Sequence, residues 1–396
     1  MLVSGPVFES LVPPAYRLIQ LRRWIANHPE SLPESAEERS ELSDMKIELF
    51  YLVMAIVVYS VVCQLIPFIV LGFYFQFSPI ASSILKTNGV NAWWWSLFQA
   101  VSSFQNAGFG LLFDSLIQVN QLILPLAVAG GQILFGNNFF PIFLRAGLRL
   151  TEKLLTWRRN PKARHFQNIL ENPRRYSAFL FPAKHTWALL VVIVFFIVLQ
   201  TSLMCALDNS TPAFAGLSNG YIFANAVFQS LTPRAAGITT INVAALHVES
   251  LVLMIAMMYV AAYPVAVLLR STNEEQQKDR QDAAYQLRRL LLQDAFWVIF
   301  PWYMVCAIER FDDYAKGFST IFETISAFGC VGVSLGTSKG PYSFSGSLSV
   351  ASKLVVIVTM VVGRHRGMPD KLDTALRKLG QPRLYEVKTR EMDNVV

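Results

Sequence analysis

Four stretches of this chain contain no Asp, Glu, Lys or Arg: residues 49–77, 115–144, 185–207 and 250–269. Each is long enough for the roughly 20 apolar residues that carry a helix across bilayer hydrocarbon. Inside that layer a backbone finds no water to bond, so a lone apolar segment must be helical. Two further segments read as spans. Residues 295–308 are uncharged but short, between Asp294 and Glu309, and residues 344–363 carry Lys353 near the middle. The sequence predicts an all-α integral membrane protein with six spans. Composition agrees, with 53% of residues apolar and 15% charged, against about 25% charged in a soluble domain. A disordered chain, a nucleic-acid-binding domain and a secreted disulfide scaffold are excluded. Cys63, Cys205, Cys306 and Cys330 lie in or beside apolar runs, without the paired spacing of a disulfide framework or zinc site. Residues 1–47 lack the apolar core of a signal peptide.

The net charge of +7 reports topology, because it is concentrated in a few loops. Between residues 145 and 184 stand ten Lys or Arg against only Glu152 and Glu171, whereas 208–247 holds only Asp208 and Arg234. The positive-inside rule places the 145–184 loop and both termini in the cytoplasm. The Asn209-Ser210-Thr211 sequon then falls outside.

Each outward segment contains a short stretch too brief to span the membrane. These read Phe98-Gln-Ala-Val-Ser-Ser-Phe-Gln-Asn-Ala-Gly108, Phe228-Gln-Ser-Leu-Thr-Pro-Arg-Ala-Ala-Gly237 and Phe322-Glu-Thr-Ile-Ser-Ala-Phe-Gly-Cys-Val-Gly332. Every copy runs from an aromatic residue through Ser or Thr to a glycine, and each lies between two spans. One such stretch would pass for an amphipathic outer loop. Three in matching positions predict re-entrant pore helices, each followed by a turn that aims backbone carbonyls at an axis. Carbonyl rings can replace the hydration shell of an alkali cation, and glycine permits the dihedrals that such a turn needs.

The residues resemble the Trk/HKT/Ktr potassium transporters, and most of all their fungal Trk branch, from about residue 37 onward. The resemblance is carried by Asn91-Ala-Trp-Trp-Trp95, Phe135-Gly-Asn-Asn-Phe-Phe-Pro-Ile-Phe-Leu-Arg145 and Glu171-Asn-Pro-Arg-Arg175. It continues through Thr232-Pro-Arg-Ala-Ala-Gly237, Met257-Met-Tyr-Val-Ala-Ala-Tyr-Pro264 and Ser326-Ala-Phe-Gly-Cys-Val-Gly332. The last and most specific match is Gly363-Arg-His-Arg-Gly-Met-Pro369. It implies a selectivity filter in which backbone carbonyls of Asn106, Ala107, Gly108, Ala235, Ala236, Gly237, Cys330, Val331 and Gly332 bind K⁺. Family members carry four span–pore–span repeats around a pseudo-fourfold axis, and three are expected here. The missing copy is the first, and residues 1–47 resemble the end of the long cytoplasmic loop that follows it. Asn138 stands where the family usually has Thr, and Thr232-Pro233 replaces Ser-Thr.

Three side chains are singled out as tuning or gating candidates. Lys353 either sits below the filter and lowers pore occupancy by repulsion, a role the resemblance favours, or snorkels to the surface, or belongs to a span whose boundary at 344 is set too far out. Pro264 would break its span as a hinge or as a packing kink. Glu323 either concentrates cations near the entrance or bonds neighbouring backbone. Arg234 is expected to turn away from the cation path and brace its loop. Gly332-Val-Ser-Leu-Gly336 matches a hydrolase nucleophile pattern, but it lacks the strand-to-helix context that chemistry requires. No enzyme is expected.

The expected organisation is a cytoplasmic segment (1–47), a first repeat (48–145), a basic cytoplasmic loop (146–184) and a second repeat (185–270). A cytoplasmic loop (271–288), a third repeat (289–363) and a cytoplasmic tail (364–396) follow. The expected function is K⁺ uptake across the plasma membrane, driven by membrane potential. The alternative is a non-conducting truncated subunit with a structural or regulatory role. No cofactor is expected beyond transported K⁺ or Na⁺. Expected partners are K⁺, the lipid bilayer and further copies of the chain, with no nucleic acid.

Overall fold

Within the charge-free stretches, residues 49–77, 123–136, 140–144, 185–207 and 250–260 become α-helix, and every regular element among the described residues is helical. The computed structural model describes residues 14–16, 18–19, 36–137, 139–177, 180, 183–234, 236–260, 283–311, 313–337 and 342–365. Ala235, Pro264, Asn138 and Arg366 lie outside the described residues, as do nearly all of 1–35, 261–282 and the tail beyond His365.

Helix α1 (Ala36–Phe77) has 42 residues, about 63 Å at 1.5 Å per residue. That is longer than the roughly 30 Å hydrocarbon layer, so its charged first part lies outside the apolar stretch. It is followed by α2 (Pro79–Thr87), the short α3 (Ala92–Phe104) and α4 (Ile123–Gly136). The order long helix, short helix, second helix recurs as α7 (Ala183–Leu207), α8 (Asn219–Leu231) and α9 (Val248–Val260). It recurs again as α10 (Ala283–Glu309), α11 (Tyr314–Phe328) and α12 (Val350–His365). Between the first two sets lie α5 (Phe140–Trp157) and α6 (Ala163–Glu171). Each short helix packs against both longer helices of its own set, save that α8 and α9 meet chiefly through the 232–234 turn. Neighbouring sets join through α4 on α8 and α9 on α11.

By length and apolarity alone, 43–77 and 186–207 qualify as membrane-crossing helices, with a third if α4 and α5 form one bent span. The expected 115–144 span is shorter than its charge-free sequence. Residues 117–119 form a single 3-10 turn, α4 starts at Ile123, and the axis then bends by 84° between α4 and α5. Absence of charge therefore overestimates the helix here. The expected 146–184 loop is largely the helices α5 and α6.

Two glycines set the spacing between helices. A Cβ on Gly136 of α4 would overlap the Phe104 carbonyl at the end of α3. A Cβ on Gly363 of α12 would overlap the Phe328 carbonyl at the end of α11 in the same way. The two sites correspond by repeat, since Phe104 and Phe328 each stand six residues after the aromatic that opens its motif.

At the other end of the first set, Glu48 of α1 is almost fully buried. Asn168 Nδ2 and Tyr176 Oη donate to its carboxylate at 2.8 and 2.5 Å, and His165 Nδ1 lies 3.6 Å away. A buried carboxylate is tolerated only when it is bonded in this way, so Glu48 ties the segment after α5 to the base of α1.

Substituting Gly136→Ala or Gly363→Ala should destabilise the fold by about 3 kcal/mol, the upper end for overpacking, because backbone cannot move aside as a side chain can. Gly147→Ala, which meets nothing within 4 Å, should be neutral. Thermal unfolding in detergent, followed by size-exclusion fluorescence, checks the difference.

Candidate functional site

Each short helix ends in a turn that brings its motif glycine to a left-handed dihedral. Gly108, Gly237 and Gly332 have φ of 74°, 65° and 90°. Asn106 and Cys330 also adopt positive φ, at 54° and 53°, so the first and third turns share a conformation two residues ahead of the glycine. They also share a bonding pattern. Ala107 N donates to the Ser102 carbonyl at 2.9 Å, and Val331 N donates to the Ser326 carbonyl at 2.9 Å. In the second turn Gly237 N donates to the Thr232 carbonyl at 3.4 Å, after the 3-10 segment Thr232–Arg234. The Ser or Thr common to the three motifs is thus the point at which each turn folds back onto its helix. Its carbonyl is consumed there, which leaves later carbonyls for other partners.

The turns also touch one another. A Cβ on Gly108 would overlap the Ala236 carbonyl oxygen. A Cβ on Gly237 would overlap the Val331 carbonyl oxygen and approach the Gly332 Cα to 3.1 Å. In both cases a glycine abuts the carbonyl of the residue just before the next motif glycine, so the three turns form an arc with one sense of rotation. A Cβ on Gly332 would meet nothing within 4 Å. The helices α3, α8 and α11 all end at this arc, and the negative ends of their dipoles favour a cation there.

The structure brings Asn106, Ala107, Gly108, Ala236, Gly237, Cys330, Val331 and Gly332 together in this arc. Ala235 lies outside the described residues. Cys330 Sγ approaches the Met360 carbonyl at 3.5 Å, which places α12 behind the third turn. Arg234 is 5% exposed, and its guanidinium carbon lies 5.6 Å from the centre of the Phe196 ring on α7. It braces its loop against a neighbouring helix, as the sequence predicts.

Lys353 is placed differently from the sequence expectation. Residues 344–347 form a 3-10 turn and α12 starts at Val350, so Lys353 stands in the first turn of its helix and not at mid-span. Ten residues, about 15 Å along the helix, separate it from Gly363, the residue level with the end of α11. Its charge acts on Glu309 at the end of α10. This placement is the boundary alternative for Lys353: residues 344–349 are uncharged without being α-helical.

Glu323, 8% exposed, accepts a bond from Ser345 N at 3.1 Å, which favours the bracing alternative for this residue. Nearby, Ser334 Oγ accepts from Phe344 N at 2.8 Å and from Gly336 N at 3.2 Å. The serine of the hydrolase-like pattern is a turn residue. The second tuning candidate, Pro264, lies outside the described residues.

Two carboxylates missed in the sequence close the outer ends of the second and third sets. Asp208 is fully buried at the end of α7. It accepts from His247 N at 2.9 Å and from Ser250 Oγ at 2.5 Å, just where α9 begins. Glu309 accepts from Ser349 N at 2.8 Å, with the Ser352 side chain also against it, just where α12 begins. The first donor precedes the helix by one residue in both cases, and the serine follows three residues later. Each carboxylate therefore satisfies donors that a helix N-terminus leaves open. The signal was present in the sequence as a single acid closing each span, followed by serine at the start of the next.

A family model described as "TrkH: Cation transport protein" matches residues 25–384. A Dictyostelium discoideum protein provisionally named for potassium transport is 35% identical over 331 residues, covering 82% of this chain and 48% of that protein. Potassium transport protein 1 of Schizosaccharomyces pombe is 31% identical over 362 residues, covering 86% of this chain and 43% of that protein. The chain spans about half the length of these relatives or less. Among solved structures, the potassium transporter TrkH from Vibrio parahaemolyticus aligns over 91% of this chain and 70% of that one, with 15% identity and a TM-score of 0.48.

Removing the Asp208 carboxylate as Asp208→Asn should cost about 1.5–3 kcal/mol, the range for bonds to a charged acceptor. Ser250→Ala alone should cost less, because His247 N keeps its partner. A double-mutant comparison by thermal unfolding checks the coupling between the two.

Proposed function

We propose that this chain, which belongs to the TrkH family of cation transport proteins, mediates K⁺ uptake through a pore lined by backbone carbonyls. The single observation that carries the reading is the arc of three turns, in which each crowded glycine abuts a neighbour's carbonyl. Names of relatives such as Potassium transport protein 1 of S. pombe support K⁺ as the cargo. The carbonyls of Asn106, Ala107, Gly108, Ala235, Ala236, Gly237, Cys330, Val331 and Gly332 would replace ion hydration. Three helix dipoles would add favourable potential at the same place. Transport of this kind forms no covalent bond and needs no cofactor. An inside-negative potential contributes about 2.3 kcal/mol per charge per 100 mV, which suffices to drive uptake against a concentration gradient. The basic segments 145–184 and 364–396 support a plasma-membrane orientation with both termini cytoplasmic.

In this reading Glu323 holds the turn behind the third filter segment, and Lys353 with Glu309 sets the charge at the mouth. Pro264 would serve as the bend of the second set. Assembly with further copies of the chain belongs to the same proposal.

The test is expression in yeast that lacks its own K⁺ uptake, with rubidium influx as the measure. Growth at low K⁺ and saturable influx are expected. Membrane insertion without influx would overturn transport by this chain and favour the non-conducting subunit. Gly237→Ala should abolish influx, since it meets both an unfavourable φ and a neighbouring carbonyl. Gly332→Ala, strained by φ alone at a cost of about 1–2 kcal/mol, should retain part of it.

A further inference from the structure

Helix α5 has two apolar faces where an ordinary surface helix has one. The first is buried: Leu144 and Leu148 are 3% and 2% exposed, and they pack in the cluster with Leu49, Leu52 and Phe166. The second faces away from the protein. Phe143, Leu150, Leu154 and Trp157 are 38%, 60%, 49% and 80% exposed, and at 100° per residue they share one stripe of the helix. Arg149 and Lys153 run along one edge of that stripe and Arg158 stands on the other, all three exposed. Arg145 is not part of this rim, because its Nη2 donates to the Leu170 carbonyl.

An aqueous environment does not account for this stripe. Four large apolar side chains in line, rimmed by cations, have the composition of a helix that lies in a membrane interface. The geometry is compatible, since α5 turns 84° from α4 and so does not continue the direction of the apolar helix before it. Helix α1, which touches α5, also carries exposed apolar side chains. On α1, Phe50, Met54 and Val58 are 43%, 44% and 53% exposed within a charge-free stretch.

We propose that α5 lies along an anionic bilayer leaflet. Its exposed stripe sits among the acyl chains, and Arg149, Lys153 and Arg158 meet the phosphates of acidic headgroups. Charge complementarity selects acidic lipid over zwitterionic lipid: the basic segment from 145 to 184 holds only two acidic residues. Through the buried face of α5 and the Glu48 cluster, the lipid-bound helix would be coupled to the base of α1. The proposal rests on membrane insertion and is independent of K⁺ conduction.

The test uses the purified full chain in nanodiscs of phosphatidylcholine, with or without phosphatidylserine. The fluorescence of Trp157 is isolated by subtracting a Trp157→Phe variant, whose exposed position keeps folding intact. Lipids brominated near the glycerol end of the acyl chain should remove about half of that signal, and more when phosphatidylserine is present. A triple variant, Arg149→Gln with Lys153→Gln and Arg158→Gln, should lose the phosphatidylserine dependence. Quenching by aqueous iodide with none from brominated lipid would place the stripe in water and overturn the proposal. Protection from both quenchers would mean that protein, such as a second copy, covers the stripe, and would overturn it equally. Equal quenching in both lipid mixtures would overturn the selection for acidic lipid.

Discussion

Backbone at membrane depth must have its polar groups bonded within the protein or exposed to a wet path. Almost every feature of this chain follows from that constraint. A short helix can enter the membrane and stop because the carbonyls of Ser102, Thr232 and Ser326 accept the N–H groups of the turn that follows. The carbonyls beyond those residues lie in an arc instead of in lipid. Carbonyls in such an arc are stable at membrane depth where something cationic or aqueous reaches them, so in the proposed function the structural requirement and the ion path would coincide at one place. The same constraint explains the terminal carboxylates. Asp208 and Glu309 accept from the N–H groups of His247 and Ser349, the residues just ahead of α9 and α12, which a helix start leaves open.

Close packing then converts these local solutions into a fixed frame. Gly136 and Gly363 let the second helix of a set touch the end of its short helix, backbone to backbone. Contact at that distance leaves no room for adjustment, since packed interiors have little free volume. The first and third turns are therefore set from behind by a helix, and the first and second from the side by the next turn. Glu323 and Arg234 add to this support, one through the Ser345 backbone and the other through the Phe196 ring. Side chains that could pass for ion-handling groups in the sequence are, in the fold, part of the scaffold that holds the carbonyls.

Helices were legible in the sequence wherever charge was absent for long enough, and the three pore motifs were legible because a repeat is self-confirming. The three motif glycines all adopt positive φ, the dihedral that the turn reading asks of them. Boundaries were less legible, for a physical reason. Residues 115–122 and 344–349 are uncharged but not α-helical, because hydropathy reports what an environment tolerates and not how the backbone bonds. This error displaced Lys353 from the start of α12 to an apparent mid-span position. The clamps at Asp208 and Glu309 escaped notice because pairing an acid with a serine some forty residues away requires knowing that two helix ends meet. Nor could the second apolar face of α5 be read from its charges alone. Its hydrophobic residues fall into two stripes, and only the packing of Leu144 and Leu148 shows which stripe is already covered.

The surroundings of the three glycines separate two reasons for requiring glycine. Gly108 and Gly237 are crowded by a neighbour's carbonyl, whereas Gly332 has open space, yet all three adopt left-handed dihedrals. Crowding cannot be the common cause. The dihedral is, and it is set within each segment by the bond from the turn back to its own short helix. Asn106 and Cys330 support this, since they accept a positive φ without being glycine at the matching position of two separate turns. Carbonyl direction is therefore a local property of each motif, encoded in about ten residues. Spacing between turns is a property of the assembly, imposed by Gly136, Gly363 and the contacts between sets. Ion selection by such an arc would need both. The motif alone can be recognised in the sequence, while the spacing that selection would require resides in helices outside it.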